Sequence, residues 1–333
     1  MKAFVVAQYG KDGLRGRDVP EPKVGNSDVL VRVSAASINP LDKMVRNGEF
    51  KQLLKYKTPF VLGHDLAGVV AQVGAGVRDF KIGDEVYARP RDLRIGTFAE
   101  SIAIDQNDVA HKPASLTLHE AAAVPLVALA AWQILVEKAR VKPGQKVLIH
   151  AGAGGLGSTV IQLAKHLGAH VATTALGSTE ELVRDLGADI VIDYTKRDFS
   201  QILSGYDLVL DSLGGENLMK SLTVVKRGGL AIGVAGPPDA EFATQLGAPK
   251  PFQFVMSFLS RKVRRAAKKL GVRYSFFFMQ ASGAQLAKLA ALYDAGHLRP
   301  VLDSTFAFGQ TLEALAYVES GKVPAGKVVV TLD

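Results

Sequence analysis

The sequence predicts a two-domain α/β protein in which a doubly wound parallel sheet is inserted into a β-rich domain. Three observations predict it. A glycine-rich loop stands between a strand and a helix near residue 150, strands and amphipathic helices alternate from there to about residue 279, and a last β-run suits the first domain better than a completed parallel sheet. At 333 residues the chain also exceeds what one hydrophobic core usually organises.

Residues 1 to about 110 alternate short β-rich runs with Gly and Pro punctuation, as in Val29–Val33, Ala67–Val73 and Asp84–Ala88. The apolar stretch Ala121–Val136 is interrupted by Pro125 and Gln133 and is too short for a bilayer span, so it reads as a buried helix. From Lys146 strands are expected near 146–150, 170–175, 189–192, 207–211, 229–234 and 273–279. A helix at about 283–295, a strand near Thr305–Ala307, a helix at about 309–320 and the run Lys327–Thr331 follow. The expected domains are 1–124 with 280–333, and 125–279 between them.

Composition narrows the function classes. With 48% hydrophobic and 22% charged residues the chain is ordinary globular material rather than a disordered one. It contains no cysteine, which removes disulfides, thiolate nucleophiles and cysteine-bound zinc together. Met1–Val6 runs straight into a strand and shows no export signal, so a cytoplasmic setting is expected. The net charge of +8 is concentrated: seven cations and no acid lie between Arg261 and Arg273.

The strand Lys146–His150 leads into Ala151-Gly152-Ala153-Gly154-Gly155-Leu156-Gly157 and then a helical pattern from Thr159. Gly152, Gly154 and Gly157 satisfy G-x-G-x-x-G in the strand–loop–helix setting the fingerprint requires. Glycine is needed because a Cβ would hold the backbone off a pyrophosphate and the helix off the sheet, while the helix N-terminus offers amide donors. A dinucleotide is the expected ligand. The second strand, His170–Ala175, lacks the terminal acid that holds an NAD ribose, and Thr174 and Ser178 leave room for a 2′-phosphate, which favours NADPH. Glu180 and Glu181 are explained by a capping box, Ser178-Thr179-Glu180-Glu181.

Together with that loop, Ser37–Asp42, Pro59–Val70, Phe80–Val86, Leu186–Tyr194 and Ala325–Val330 resemble the medium-chain dehydrogenase/reductase superfamily in its zinc-free quinone oxidoreductase branch. The likeness spans essentially the whole chain. Tyr274–Gly283 and the helix to His297 look most like the reticulon-interacting oxidoreductase and enone reductase group. The resemblance implies a Rossmann domain inserted into a GroES-like catalytic domain, a homodimer, and hydride transfer from NADPH to a quinone or α,β-unsaturated carbonyl. In zinc-dependent relatives a cysteine matches Asn39, a histidine matches His64 and a second cysteine falls near Val124–Val127; only the histidine remains here, so no metal site is expected. His64 then reads as a structural histidine.

The resemblance points to Asn39, Asp42 and Tyr56 as catalytic candidates near the substrate carbonyl. Asn39-Pro40 as a turn, Asp42 as a helix cap and Tyr56 as a surface aromatic are equally open readings. It places Tyr194 against the adenosine 2′-phosphate, and Leu213, Gly214, Gly233, Val234, Phe277 and Phe278 at carboxyl ends of parallel strands, where ligands bind. Phe277 and Phe278 read equally well as core. Ala325 and Lys327 complete the cofactor set through the closing family segment.

The segment 252–273 joins aromatic residues to the cationic run. It reads either as a solvated helix face with core or dimer contacts, or as a lid with a contact to anionic membranes. Related folds also serve as lens structural proteins or RNA binders, but stacking RNA-recognition motifs are not evident and no nucleic-acid partner is expected. A zinc alcohol dehydrogenase is the remaining alternative.

Overall fold

A computed structural model describes residues 1–332. They fall into two compact units, residues 1–129 with 280 onward, and 130–279. The division comes five residues later than the expected 124/125 boundary, inside the helix Pro125–Trp132.

The first unit holds a seven-stranded and a three-stranded sheet. Asp28–Ser37 pairs with Asp65–Val73 on one side and with the C-terminal strand Lys327–Thr331 on the other, Val329 opposite Ser37. Period-two patterning explains the central strand: Val29, Val31 and Val33 are buried while Arg32 is exposed. The stretch expected as one buried helix is broken. Leu118–Ala122 ends before Pro125, which opens a new helix where its missing N–H costs nothing, and a wide π turn follows at Gln133–Lys138.

The second unit is numbered here from Lys146. Its strands are β1 (Lys146–Ile149), β2 (His170–Ala175), β3 (Ile190–Asp193), β4 (Tyr206–Asp211), β5 (Val225–Gly233) and β6 (Arg273–Phe276). All pair in parallel in the order β3-β2-β1-β4-β5-β6, the doubly wound arrangement with its switch point between β1 and β4. Helices are α1 (Gly155–His166), α2 (Glu180–Asp185), α3 (Gly215–Val224), α4 (Ala240–Gln245), α5 (Lys250–Leu259) and α6 (Arg261–Leu270). Leu148, Val209 and Ala231 on the sheet pack with Leu218 and Leu222 of α3 and Val263 and Ala267 of α6.

Two local expectations differ from the structure. β6 ends at Phe276, because Asp239 Oδ2 accepts the Phe276 N–H and Phe277 N makes a last bond to Gly233 O. Phe277 and Phe278 therefore lie beyond the strand. The capping box at Ser178 does not form: residues Gly177–Thr179 make a 3₁₀ turn, Thr179 Oγ1 donates to Leu176 O, and Ser178 is left exposed. No helix among the described residues is long and apolar enough to cross a membrane.

Candidate active site

The glycine loop assigns a separate task to each of its three glycines. A Cβ on Gly152 would stand 2.0 Å from Thr173 Oγ1, and one on Gly157 would stand 2.3 Å from Ala151 O and 2.7 Å from Gly152 Cα. Those two are glycine so that loop, helix and sheet can touch. Gly154 differs, since a Cβ there would meet only Ala151 O, at 3.4 Å, an ordinary contact. Nothing within the protein requires glycine at 154, the residue that precedes α1. Ala153 is buried, Gly155 begins α1, and Leu156 is half-buried on its first turn. Ala151 sits at φ 52°, a left-handed conformation costing an alanine about 1 kcal/mol, so the loop holds strain at this point.

A buried hydrogen-bond chain fixes the loop. Ala151 N–H donates to Thr174 Oγ1 at 3.3 Å, His150 Nδ1 is 3.0 Å from the same oxygen, and His150 Nε2 is 3.0 Å from Ser221 Oγ. Ser221 Oγ in turn lies 2.9 Å from Asp211 Oδ2. Burial pushes the His150 pKa down to about 4, against the opposing pull of Asp211. A neutral imidazole with its proton on Nε2 satisfies both neighbours. Asp211 Oδ1 accepts the backbone N–H groups of Leu213, at 3.0 Å, and Gly214, at 2.6 Å, so one carboxylate orders the turn after β4. Gly214 has φ 70°, and a Cβ there would strike Ala235 O at 2.5 Å. Val234 N bonds Asp211 O, which brings the ends of β4 and β5 together.

The candidate residues around this sheet end divide by exposure. Ser178, Tyr194 and Leu213 are exposed, Tyr194 and Leu213 each at 55%. Thr174 is 2% exposed with its hydroxyl engaged by His150 and Ala151, so it positions the loop rather than offering itself to a phosphate. Phe277 is buried, and the Phe278 ring lies 5.2 Å from Phe242 of α4. Phe277 thus packs as core, while the half-buried Phe278 rests on Phe242. The turn after β2 also faces Lys196, which the sequence did not single out: an added Cβ on Gly177 would lie 3.7 Å from its Nζ and 2.6 Å from Asp193 Oδ2, and among the described residues Lys196 pairs with Asp193 at 3.3 Å. His150, Ser221 and Asp211 were missed as well, because only the folded sheet brings them together.

In the first unit a buried polar cluster surrounds Asn39. Asp65 Oδ2 accepts from Asn39 Nδ2 at 2.8 Å and Ser37 Oγ at 3.0 Å, and Asp65 Oδ1 accepts the Leu126 N–H at 2.8 Å. Lys327 Nζ donates to Asn39 Oδ1 at 2.5 Å and lies 3.4 Å from Asp65 Oδ2. Burial pulls the Lys327 pKa below its ordinary value, with Asp65 and Asp42 opposing. Gly326, at φ 71°, makes the turn that sends Lys327 inward, and a Cβ there would meet Val301 O at 2.4 Å. Lys327 is thus tied to Asn39 within its own unit, while Ala325 is half-buried beside the turn. Asp42 accepts Asn39 N–H at 2.7 Å and meets His64 Nδ1 at 2.6 Å; His64 Nε2 is buried with no partner among the described residues.

These contacts sort the three catalytic candidates. Asn39 has spent its amide on Asp65, Ser37 O and Lys327, and Asp42 is fully buried as a cap and histidine partner. Tyr56 Oη accepts Leu93 N–H at 3.1 Å and its own proton has no acceptor among the described residues. Burial and the Asp92 carboxylate push its pKa well above 10, which keeps it a neutral donor. It stacks on Phe60 at 4.9 Å. A separate concavity of about 830 Å³ in this unit contains Arg89 and Arg91, but they are already paired with Asp92 and Asp108.

Comparison with known proteins agrees with this architecture. The alcohol dehydrogenase GroES-like domain family matches residues 25–114 and the zinc-binding dehydrogenase family matches residues 186–330. The chain is 34% identical to the mitochondrial NAD(P)H oxidoreductase RTN4IP1 of Danio rerio, over 100% of this chain and 91% of that protein. It is 35% identical to the chloroplastic NADPH-dependent alkenal/one oxidoreductase of Arabidopsis thaliana, over 99% and 79%. The quinone oxidoreductase structure from Coxiella burnetii superposes with a TM-score of 0.86 at 31% identity, covering 100% of this chain and 99% of that one. The chain therefore belongs to the medium-chain dehydrogenase/reductase family, in its quinone oxidoreductase branch, and is an oxidoreductase.

Proposed function

We propose that this protein is an NADPH-dependent, zinc-independent reductase of quinones and α,β-unsaturated carbonyls. The observation that carries the reading is Gly154, a glycine with room for a Cβ inside the protein and a reason to lack one only when a pyrophosphate lies against the loop. The relatives named above, an alkenal/one oxidoreductase and a quinone oxidoreductase, suggest the acceptor class.

The nicotinamide, when bound, supplies a hydride to the β-carbon of an enone or to the quinone system. The chain's own residues do the rest. Loop amides at Gly154–Leu156 would hold the pyrophosphate, and the absence of an acid at the end of β2 together with Ser178, Tyr194 and Lys196 would accommodate a 2′-phosphate. Tyr56 keeps a neutral, unspent O–H in the first unit and is the candidate donor to a carbonyl oxygen, where conjugation would spread the developing charge and one hydrogen-bond donor would suffice. A proton from solvent completes the reduction.

Zinc does not fit the residues present. Among the described residues no group of three or more His, Cys, Asp or Glu could hold a metal, and Asn39 is an amide bound to Lys327. The test is calorimetric titration with NADPH and NADH, then NADPH oxidation across quinones, enones and aldehydes with and without chelator. Tighter NADPH binding and chelator-insensitive turnover are expected; no affinity for either dinucleotide sinks the proposal.

A further inference from the structure

Helix α5 buries none of its residues. Phe254 is 75% exposed, Phe258 62%, Leu259 52% and Val255 49%, and the spacing i, i+1, i+4, i+5 gathers them into one stripe. Helix α6 follows directly. It turns Val263 and Ala267 to the sheet and leaves its cations outside, none with an acidic partner among the described residues. Elsewhere in this unit Lys220 pairs with Asp198 and Lys226 with Asp207.

The two features share one surface. Phe254 and Phe258 line a concavity of about 610 Å³ with Arg261, Arg264, Arg265 and Lys268, and Arg264 Nη1 reaches back to Ser257 Oγ at 2.6 Å. Phe258 and Leu259 line a second one of about 1000 Å³ with Lys262 and Lys269. Apolar side chains thus stand within a side-chain length of unpaired cations.

We infer that the α5–α6 surface docks on an anionic phospholipid membrane, its apolar stripe entering the acyl boundary and its cations meeting the phosphates. Such a surface offers negative charge immediately above hydrocarbon, the same two-layer order that this patch presents. A second copy meeting the same patch across a two-fold axis would bring the cationic cluster against itself. A nucleic acid would use the cations, but the aliphatic Val255 and Leu259 beside the phenylalanines make a greasy stripe rather than a stacking platform. The inference goes beyond the reductase reading and stands independently of it. Docking would set the enzyme where lipophilic quinones dissolve.

The test is flotation of the full chain, without NADPH, on vesicles of phosphatidylcholine with one-third phosphatidylglycerol and on pure phosphatidylcholine. Association with the anionic vesicles alone is expected, at low ionic strength and lost in molar salt. The variant Arg261→Gln/Lys262→Gln/Arg265→Gln/Lys268→Gln should bind roughly 600-fold more weakly, at about fivefold for each surface cation. Phe254→Ser/Phe258→Ser should lose at least about tenfold while keeping its salt dependence. All six side chains are solvent-facing, so urea unfolding of both variants should match the parent. Equal binding to neutral vesicles, no binding at low salt, or an unaffected charge variant overturns the inference. So does tighter binding to single-stranded RNA, or a dimer that the phenylalanine variant dissolves.

Discussion

Gly154 and Gly157 stand three residues apart in one loop, yet a methyl group added to each is expected to damage different properties. In Gly157→Ala the new Cβ lies 2.3 Å from Ala151 O and 2.7 Å from Gly152 Cα, and these are backbone atoms that cannot rotate aside. Helix α1 must shift, at an overpacking cost of about 1–3 kcal/mol, which lowers the midpoint of a unit this size by roughly 2 to 12 °C. In Gly154→Ala the backbone is already extended, at φ −69° and ψ 167°, and the Cβ meets one atom at 3.4 Å. Alanine is a poorer N-cap than glycine by up to about 1 kcal/mol, but it also removes about 0.4–1 kcal/mol of unfolded-state freedom. The two effects nearly cancel, and stability should stay within about 0.5 kcal/mol of the parent. Cofactor affinity should not survive in the same way. Holding the pyrophosphate off the loop forfeits a charge-assisted hydrogen bond of about 1.5–3 kcal/mol, or roughly ten- to 150-fold in Kd. Urea unfolding and calorimetric titration of both variants separate the outcomes. A Gly154→Ala protein that binds NADPH as the parent does, or that unfolds as early as Gly157→Ala, refutes the division of roles.

Tyr56→Phe should lower kcat about 100-fold on an enone with little change in NADPH binding, since one donor to a developing oxyanion is removed; parental kcat would eliminate Tyr56 from the chemistry. With its pKa above 10, the parental rate should not fall as pH rises toward that value through loss of this proton. Lys196→Ala should weaken NADPH by about fivefold at most and leave NADH unchanged, as expected for one exposed cation at a phosphate; an equal loss for both would place Lys196 elsewhere. His150 has a folded pKa of about 4 against 6.5 in the unfolded chain, so only the unfolded state takes up its proton between those values. Stability should therefore decline by roughly 3 kcal/mol as pH falls from 6.5 to 4, and urea midpoints of His150→Asn should show a shallower decline across that window.

The expectations that rested on short-range pattern are those the folded chain reproduces most closely. The glycine loop, the helix at Gly283–Asp294 and the strand Lys327–Thr331 arise where expected, because turn chemistry and periodicity act over a few residues. Ser178 misled for the opposite reason. Its motif suits a helix cap, but the chain leaves β2 through a tight turn in which Thr179 takes the local carbonyl. Thr174 misled because strand alternation cannot say that its hydroxyl will meet His150 rather than a ligand.

By itself the sequence determined the architecture and the kind of ligand: bare backbone between a strand and a helix, no terminal acid on β2, and no cysteine for zinc. Only the tertiary structure decided which polar groups remain free. Asn39 meets Lys327 across 288 residues and His150 meets Ser221 across 71, so the donors that each retains depend on strand register and burial that no local pattern encodes. A hydrogen bond can be made once, and folding spends those of Asn39 internally while leaving the Tyr56 proton unclaimed.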